Sequence, residues 1–104
     1  MRFRRARFGE VIGRQLALFE REHRDVIEES GAKLRLYNAA DRDDAEELYG
    51  DYLDAVETGT EILADLRDHF AQTLDESESE RYLAEFDRTV ARRLPEYALE
   101  IENR

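Results

Sequence analysis

Residues 45 to 73 repeat small or apolar side chains at alternating steps of four and three: Ala45, Tyr49, Tyr52, Val56, Gly59, Leu63, Leu66, Phe70 and Thr73. The mean step is about 3.5 residues, the period that keeps one face of a long helix against a partner helix. A second column runs beside this seam through Leu48, Ala55, Ile62 and His69. Two adjacent columns make the face wider than a two-stranded coiled coil needs, so this helix is expected to touch two neighbours, as in a bundle. Thr58-Gly59-Thr60 is its weak point, a kink or a close helix crossing.

The flanking segments carry the same periodicity. A first helix is expected to start at Arg7 or Phe8 with the stripe Phe8, Ile12, Leu16, Phe19, His23, Val26 and Ile27. Ser30-Gly31 offers a stop, yet the phase continues through Leu34 and Tyr37, which makes Asn38 the better end. The second helix is expected to start after Asp41 or Asp43, both good N-cap residues, and to run to about Leu74. The third opens at Ser77 or Ser79, where Ser77-Glu78-Ser79-Glu80 has capping-box spacing, and its stripe is Tyr82, Leu83, Phe86, Val90, Leu94, Tyr97 and Ile101. Pro95 lacks a backbone donor, so this helix is either kinked near Arg92 or broken, with Pro95 opening a short terminal helix.

The expected fold is therefore all-α: an antiparallel up-down-up bundle of three long helices, about 45 Å in length. Its 104 residues make one domain, 1–104, of which 1–6 form a basic N-terminal arm. Turns near 38–42 and 75–77 align Tyr37, Tyr49, Tyr52 and Tyr97 at one end, and Phe8, Phe70, Tyr82 and Phe86 at the other. The arm of Arg2, Arg4, Arg5 and Arg7 then falls beside Asp75, Glu76, Glu78 and Glu80, so opposite charges meet.

Composition narrows the function classes. Hydrophobic residues make up 41% of the chain, with five Phe and five Tyr, which outweighs the 40% of charged residues and favours folding over disorder. The absence of cysteine excludes disulfides, zinc-thiolate sites and cysteine nucleophiles. The longest apolar run, Leu16 to Phe19, is far short of the ~20 residues that span a bilayer, and no apolar stretch follows the basic start as in a signal peptide. A cytoplasmic protein with no membrane partner is expected.

The net charge of −10 is unevenly placed: +3 over residues 1–40, −13 over 41–80, and zero over 81–104. Such an acidic middle argues against nucleic acid as a partner, because phosphate binding needs a clustered cationic footprint. Two histidines, no cysteine and no phosphate-cradling glycine loop leave little for catalysis, so no enzyme is expected. Asp41, Asp43, Asp44, Glu46 and Glu47 lack the ligand order and central glycine of an EF-hand and read as helix-start residues.

One constellation has metal-site spacing. Glu20-Arg21-Glu22-His23 contains Glu-x-x-His, the spacing used by ferritin-like di-iron bundles, and Glu57 and Glu61 of the second helix lie at about the same level. Those bundles use two such motifs, so an iron or manganese site of Glu20, His23, Glu57 and Glu61 requires dimerisation. The other histidine, His69, lies roughly 18 Å from His23 along a straight rod. The tyrosine group of Tyr37, Tyr49, Tyr52 and Tyr97 could alternatively rim a ligand pocket.

The leading expectation is a non-enzymatic helical interaction module, without a cofactor. It self-associates as a homo-oligomer or docks on another protein through Leu48, Tyr52, Ala55 and Ile62. The carboxylate/histidine metal protein is the alternative. A third reading, an acidic mimic or antagonist of basic proteins, follows from the −13 segment alone.

Overall fold

The computed structural model describes residues 7–104, and every element among them is helical. The elements are α1 (Gly9–Glu22), α2 (Arg24–Asn38), α3 (Arg42–Ala71), α4 (Glu76–Arg93), a 3-10 turn (Pro95–Tyr97) and α5 (Ala98–Glu102). The all-α expectation holds; the first of the three expected long helices is broken at His23, and the third is broken at Pro95, one of the two outcomes expected there.

The first break falls at His23 and not at Gly31, which lies inside α2. His23 has φ −124° and ψ 36°, outside helical geometry. Its N–H still donates to the Phe19 carbonyl, and its own carbonyl accepts from Val26 and Ile27. One residue thus closes α1 and opens α2. The bend lets α1 lean on α4, where Ile12, Leu16 and Phe19 are fully buried, while α2 lies along α3.

The second break is the outcome Pro95 allows when it starts a new element. Leu94 takes φ −132° and ψ 65°, since a residue before proline is pushed out of the helical region. Its N–H makes the last helical bond, 2.7 Å to the Val90 carbonyl. The helical start signals fare unequally. Asp41 caps α3 as expected, its carboxylate accepting from the Asp44 N–H at 3.2 Å. For α4 the cap is Asp75 and not Ser77 or Ser79: the Asp75 carboxylate accepts from the Glu78 N–H at 2.8 Å, so the helix begins earlier.

The residue pairs across the helices run in opposite chain directions for α2 with α3 and for α3 with α4, and the core lies on the half of α3 from Val56 onward. The aromatic end forms as aligned: Tyr82 sits 5.5 Å from Phe8, 4.8 Å from Phe70 and 5.8 Å from Phe86, centre to centre. Its hydroxyl donates to Gln15 at 2.8 Å, and burial pushes its pKa up to about 12. Nearby, Arg7 pairs with Glu78 at 2.7 Å. The buried Glu85 carboxylate accepts the N–H groups of Arg7 and Phe8 just before α1. Arg2, Arg4 and Arg5 lie outside the described residues.

α5 is held against α3 by one buried cation. Arg67, 4% exposed, donates to Asp68 at 2.8 Å and Asp87 at 3.0 Å, and to the carbonyls of Ile101 and Arg104 at 3.1 and 3.0 Å. This fork satisfies carbonyls at the end of α5 that no further helical turn reaches. The molecule measures 53 × 32 × 23 Å. No helix among the described residues is long and apolar enough to cross a membrane.

Candidate functional site

The stripe of α3 expected to dock a partner is divided by its neighbours. Leu48 and Tyr52 are half-buried on the N-terminal half of α3, Tyr52 against the edge of the core and beside Glu96 of the 3-10 turn. Ala55 lines a cleft of about 600 Å³ between α2 and α3, with Asp25, Val26, Glu29, Lys33, Asp51, Asp54 and Thr58. Ile62 opens instead into a groove between α1 and α3. The four residues therefore do not form one continuous surface.

This groove lies between α1 and α3, with His23, the residue of the chain break, on its border. Its volume is about 550 Å³, and Leu18, Phe19, Ile62, Leu66 and Phe70 supply its apolar lining. Glu22, His23, Asp65 and His69 also border it. The two histidines, separated in a straight rod, thus share one groove. His23 packs on Phe19, ring centres 5.6 Å apart.

The proposed metal ligands do not converge within the chain. The Glu20 carboxylate is taken by Arg93, which donates to its two oxygens at 2.7 and 3.2 Å. Glu57 lies 3.7 Å from Arg104, and Glu61 is exposed. Among the described residues, no group of three His, Asp or Glu side chains is placed to hold a metal ion.

The tyrosine cluster is three-quarters as aligned. Tyr37 and Tyr49 lie 5.0 Å apart and Tyr49 and Tyr52 6.3 Å, a ladder between α2 and α3. Tyr97 is not part of its rim. It is fully buried at the ladder's foot, edge-on to Phe19 at 6.0 Å, with its hydroxyl 3.1 Å from Ser30 Oγ. Leu53, four residues after Tyr49 and so on the same helical face, is 40% exposed; Tyr49 is 44% exposed.

Glu96 stands beside Tyr52 and Tyr97, close enough for its charge to push both phenols up, burial being the larger cause in each. Its Oε1 is buried without a hydrogen-bond partner among the described residues, and burial pushes its own carboxyl up. Glu96, Arg67 and Glu85 escaped the sequence reading. Arg67 left a trace: it is one of two cations in the acidic middle and follows Leu63 by four residues, which turns it towards the packed face. Glu85 and Glu96 left none.

What α3 presents is thus a ladder of aromatic and aliphatic side chains in an acidic setting. Comparison of the chain with protein-family models, with curated proteins and with solved structures finds no match to any of the three.

Proposed function

We propose that this protein is a non-enzymatic helical interaction module, docking on a protein partner through the apolar side of its α2–α3 hairpin. The observation that carries the reading is the exposure of large apolar side chains there. Leu36 (52%), Tyr49 (44%) and Leu53 (40%) lie on a stretch, residues 31–55, that contributes no fully buried side chain to the core. Elsewhere among the described residues Leu99 is exposed on α5, and Leu18, at 37%, borders the α1–α3 groove. A grouped apolar surface with a polar rim is the ordinary anatomy of an interface.

Tyr52 belongs to this face, with Leu48 beside it on the same half of α3. Ile62 belongs to the α1–α3 groove, a secondary contact. Self-association through the hairpin is disfavoured, because it would bring together two segments that each carry −13 over residues 41–80.

The test is the double variant Tyr49→Gln, Leu53→Gln. A docking face predicts a melting temperature within a few degrees of the parent and loss of proteins recovered with the tagged chain from its host. A fall of more than about 5 °C would place these side chains in the fold and remove the reading.

A further inference from the structure

We infer that the hairpin receives one amphipathic helix from a basic partner, laid along Tyr37, Tyr49 and Leu53 in the position that the third long helix leaves empty beyond Leu94. This rests on the interaction reading above and names its partner's chemistry.

The first support is the place left open. α4 climbs α3 only as far as Gly59, against which Tyr97 packs; the chain then turns at Pro95, and α5 folds back onto α3 and α4 under the Arg67 fork. From Arg42 to Thr58 α3 continues for about 25 Å at 1.5 Å per residue, accompanied by α2. Two helices with a shared apolar face and no third are half of a bundle. A single partner helix of roughly four to five turns covers that length.

The second support is charge. Nine acidic residues lie between Asp41 and Glu61, with Arg42 the one basic residue of that stretch. Among the described residues, only Glu57 of these nine takes part in an ion pair, with Arg104. Glu46 and Glu57 stand seven residues before and four after Leu53, on its helical face, while Asp51 and Asp54 turn into the α2–α3 cleft, so a helix with Arg or Lys beside its apolar stripe would meet a carboxylate towards each end of the ladder. A second copy of this hairpin would meet like charge instead.

The third support is Glu96. Its buried Oε1 lacks a donor, at the foot of the tyrosine ladder and beside Tyr52. A buried carboxylate oxygen without a partner is costly, and a guanidinium or ammonium arriving at the end of the docked helix would satisfy it.

The experiment uses two synthetic helical peptides of roughly 18 residues, both with leucines at alternating third and fourth positions. One carries Arg and Lys flanks, the other Glu flanks; binding is measured by calorimetry at low and high salt. The inference expects the cationic peptide to bind the parent protein, to weaken with salt, and to bind Leu53→Gln at least about tenfold more weakly. It expects Leu99→Gln, a change at an exposed leucine of α5, to bind like the parent. Should Leu53→Gln not fold, Tyr49→Gln carries the same comparison.

If the Glu-flanked peptide binds as well and as Leu53-dependently, the cationic assignment is overturned while the docking face stands. A parent dimer that Leu53→Gln disperses would make a second copy the occupant, again against the inference. Failure of both peptides, or cationic binding indifferent to Leu53 and Tyr49, overturns the inference together with the docking face.

Discussion

Tyr97 lies so close to the backbone of Gly59 that a β-carbon there would stand 2.5 Å from the ring's Cε1 and 2.8 Å from Cζ. At Thr58-Gly59-Thr60, where the sequence predicts a kink or a close helix crossing, α3 runs unbroken from Arg42 to Ala71, and what approaches Gly59 is a side chain, the Tyr97 ring. Tyr97 comes from the 3-10 turn after Pro95, so this contact ties the second chain break to the middle of the longest helix.

Gly59→Ala is accordingly expected to destabilise the protein by about 1–3 kcal/mol, the usual range for overpacking a filled core. Gly13 and Gly50 are helical glycines whose added Cβ meets nothing within 4 Å. Alanine at either should stabilise by roughly 0.5–1 kcal/mol. Urea unfolding of the three variants checks the contrast; a stabilising Gly59→Ala would show that the Tyr97 ring readily gives way.

Ser30 and Tyr97 form a buried hydroxyl pair with a defined direction. Ser30 Oγ donates its one hydrogen to the Val26 carbonyl at 3.2 Å, which leaves the Tyr97 hydroxyl to donate to Ser30. Ser30→Ala strips the phenol of its acceptor and should cost about 1–3 kcal/mol, less the small helix preference of alanine. Tyr97→Phe leaves Ser30 bonded to Val26 and should cost less. The double variant should fall near the Tyr97→Phe value, and a double-mutant cycle reads this coupling directly.

Removal of Arg67 strands the half-buried Asp87 and two carbonyls at the end of the chain. Arg67→Met is expected to lower stability by roughly 3 kcal/mol, as breaking a buried ion pair does. Hydrogen exchange should show α5 opening well before α3. Arg67→Lys should recover little, because one ammonium cannot reproduce a planar fork that reaches two carboxylates and two carbonyls. Equal protection of α5 in the parent and Arg67→Met would count against the latch.

Burial raises the carboxyl of Glu96 above the ordinary glutamate value. The folded state therefore favours its neutral form, and this contribution to stability is full below the unfolded pKa and lost as pH rises through the folded one. Glu96→Gln should melt higher than the parent at about pH 7.5, with the gap narrowing at about pH 4.5. Asp87, raised chiefly by burial despite the Arg67 pair, acts in the same direction. A glutamine variant that melts lower at neutral pH would mean the carboxylate has found a donor.

Much of the architecture could be read directly from the periodicity. The α3 seam, the cap at Asp41 and the aromatic cluster around Tyr82 follow from local spacing and from the antiparallel return that short turns impose. The break at His23 left no such mark, because the apolar stripe keeps its phase across it: Phe19, His23, Val26 and Ile27 fit a continuous helix equally well. Asp75 displaced Ser77 as a cap for a related reason, since several residues in Asp75-Glu76-Ser77-Glu78-Ser79 carry an oxygen able to start a helix.

By itself, the sequence determined that the chain is helical, where α3 lies, that the middle is acidic and that Pro95 interrupts the third segment. These are properties of neighbours in the chain, governed by spacing, backbone donors and local charge. Only the tertiary structure decided that α1 leans on α4, that Glu20 faces Arg93 and not a metal partner, and that Arg67 holds the terminal turn. It also left the tyrosine ladder without a third helix. Each of these depends on which distant side chains compete for the same buried space and the same hydrogen-bond donors, and that competition is settled only when the helices meet.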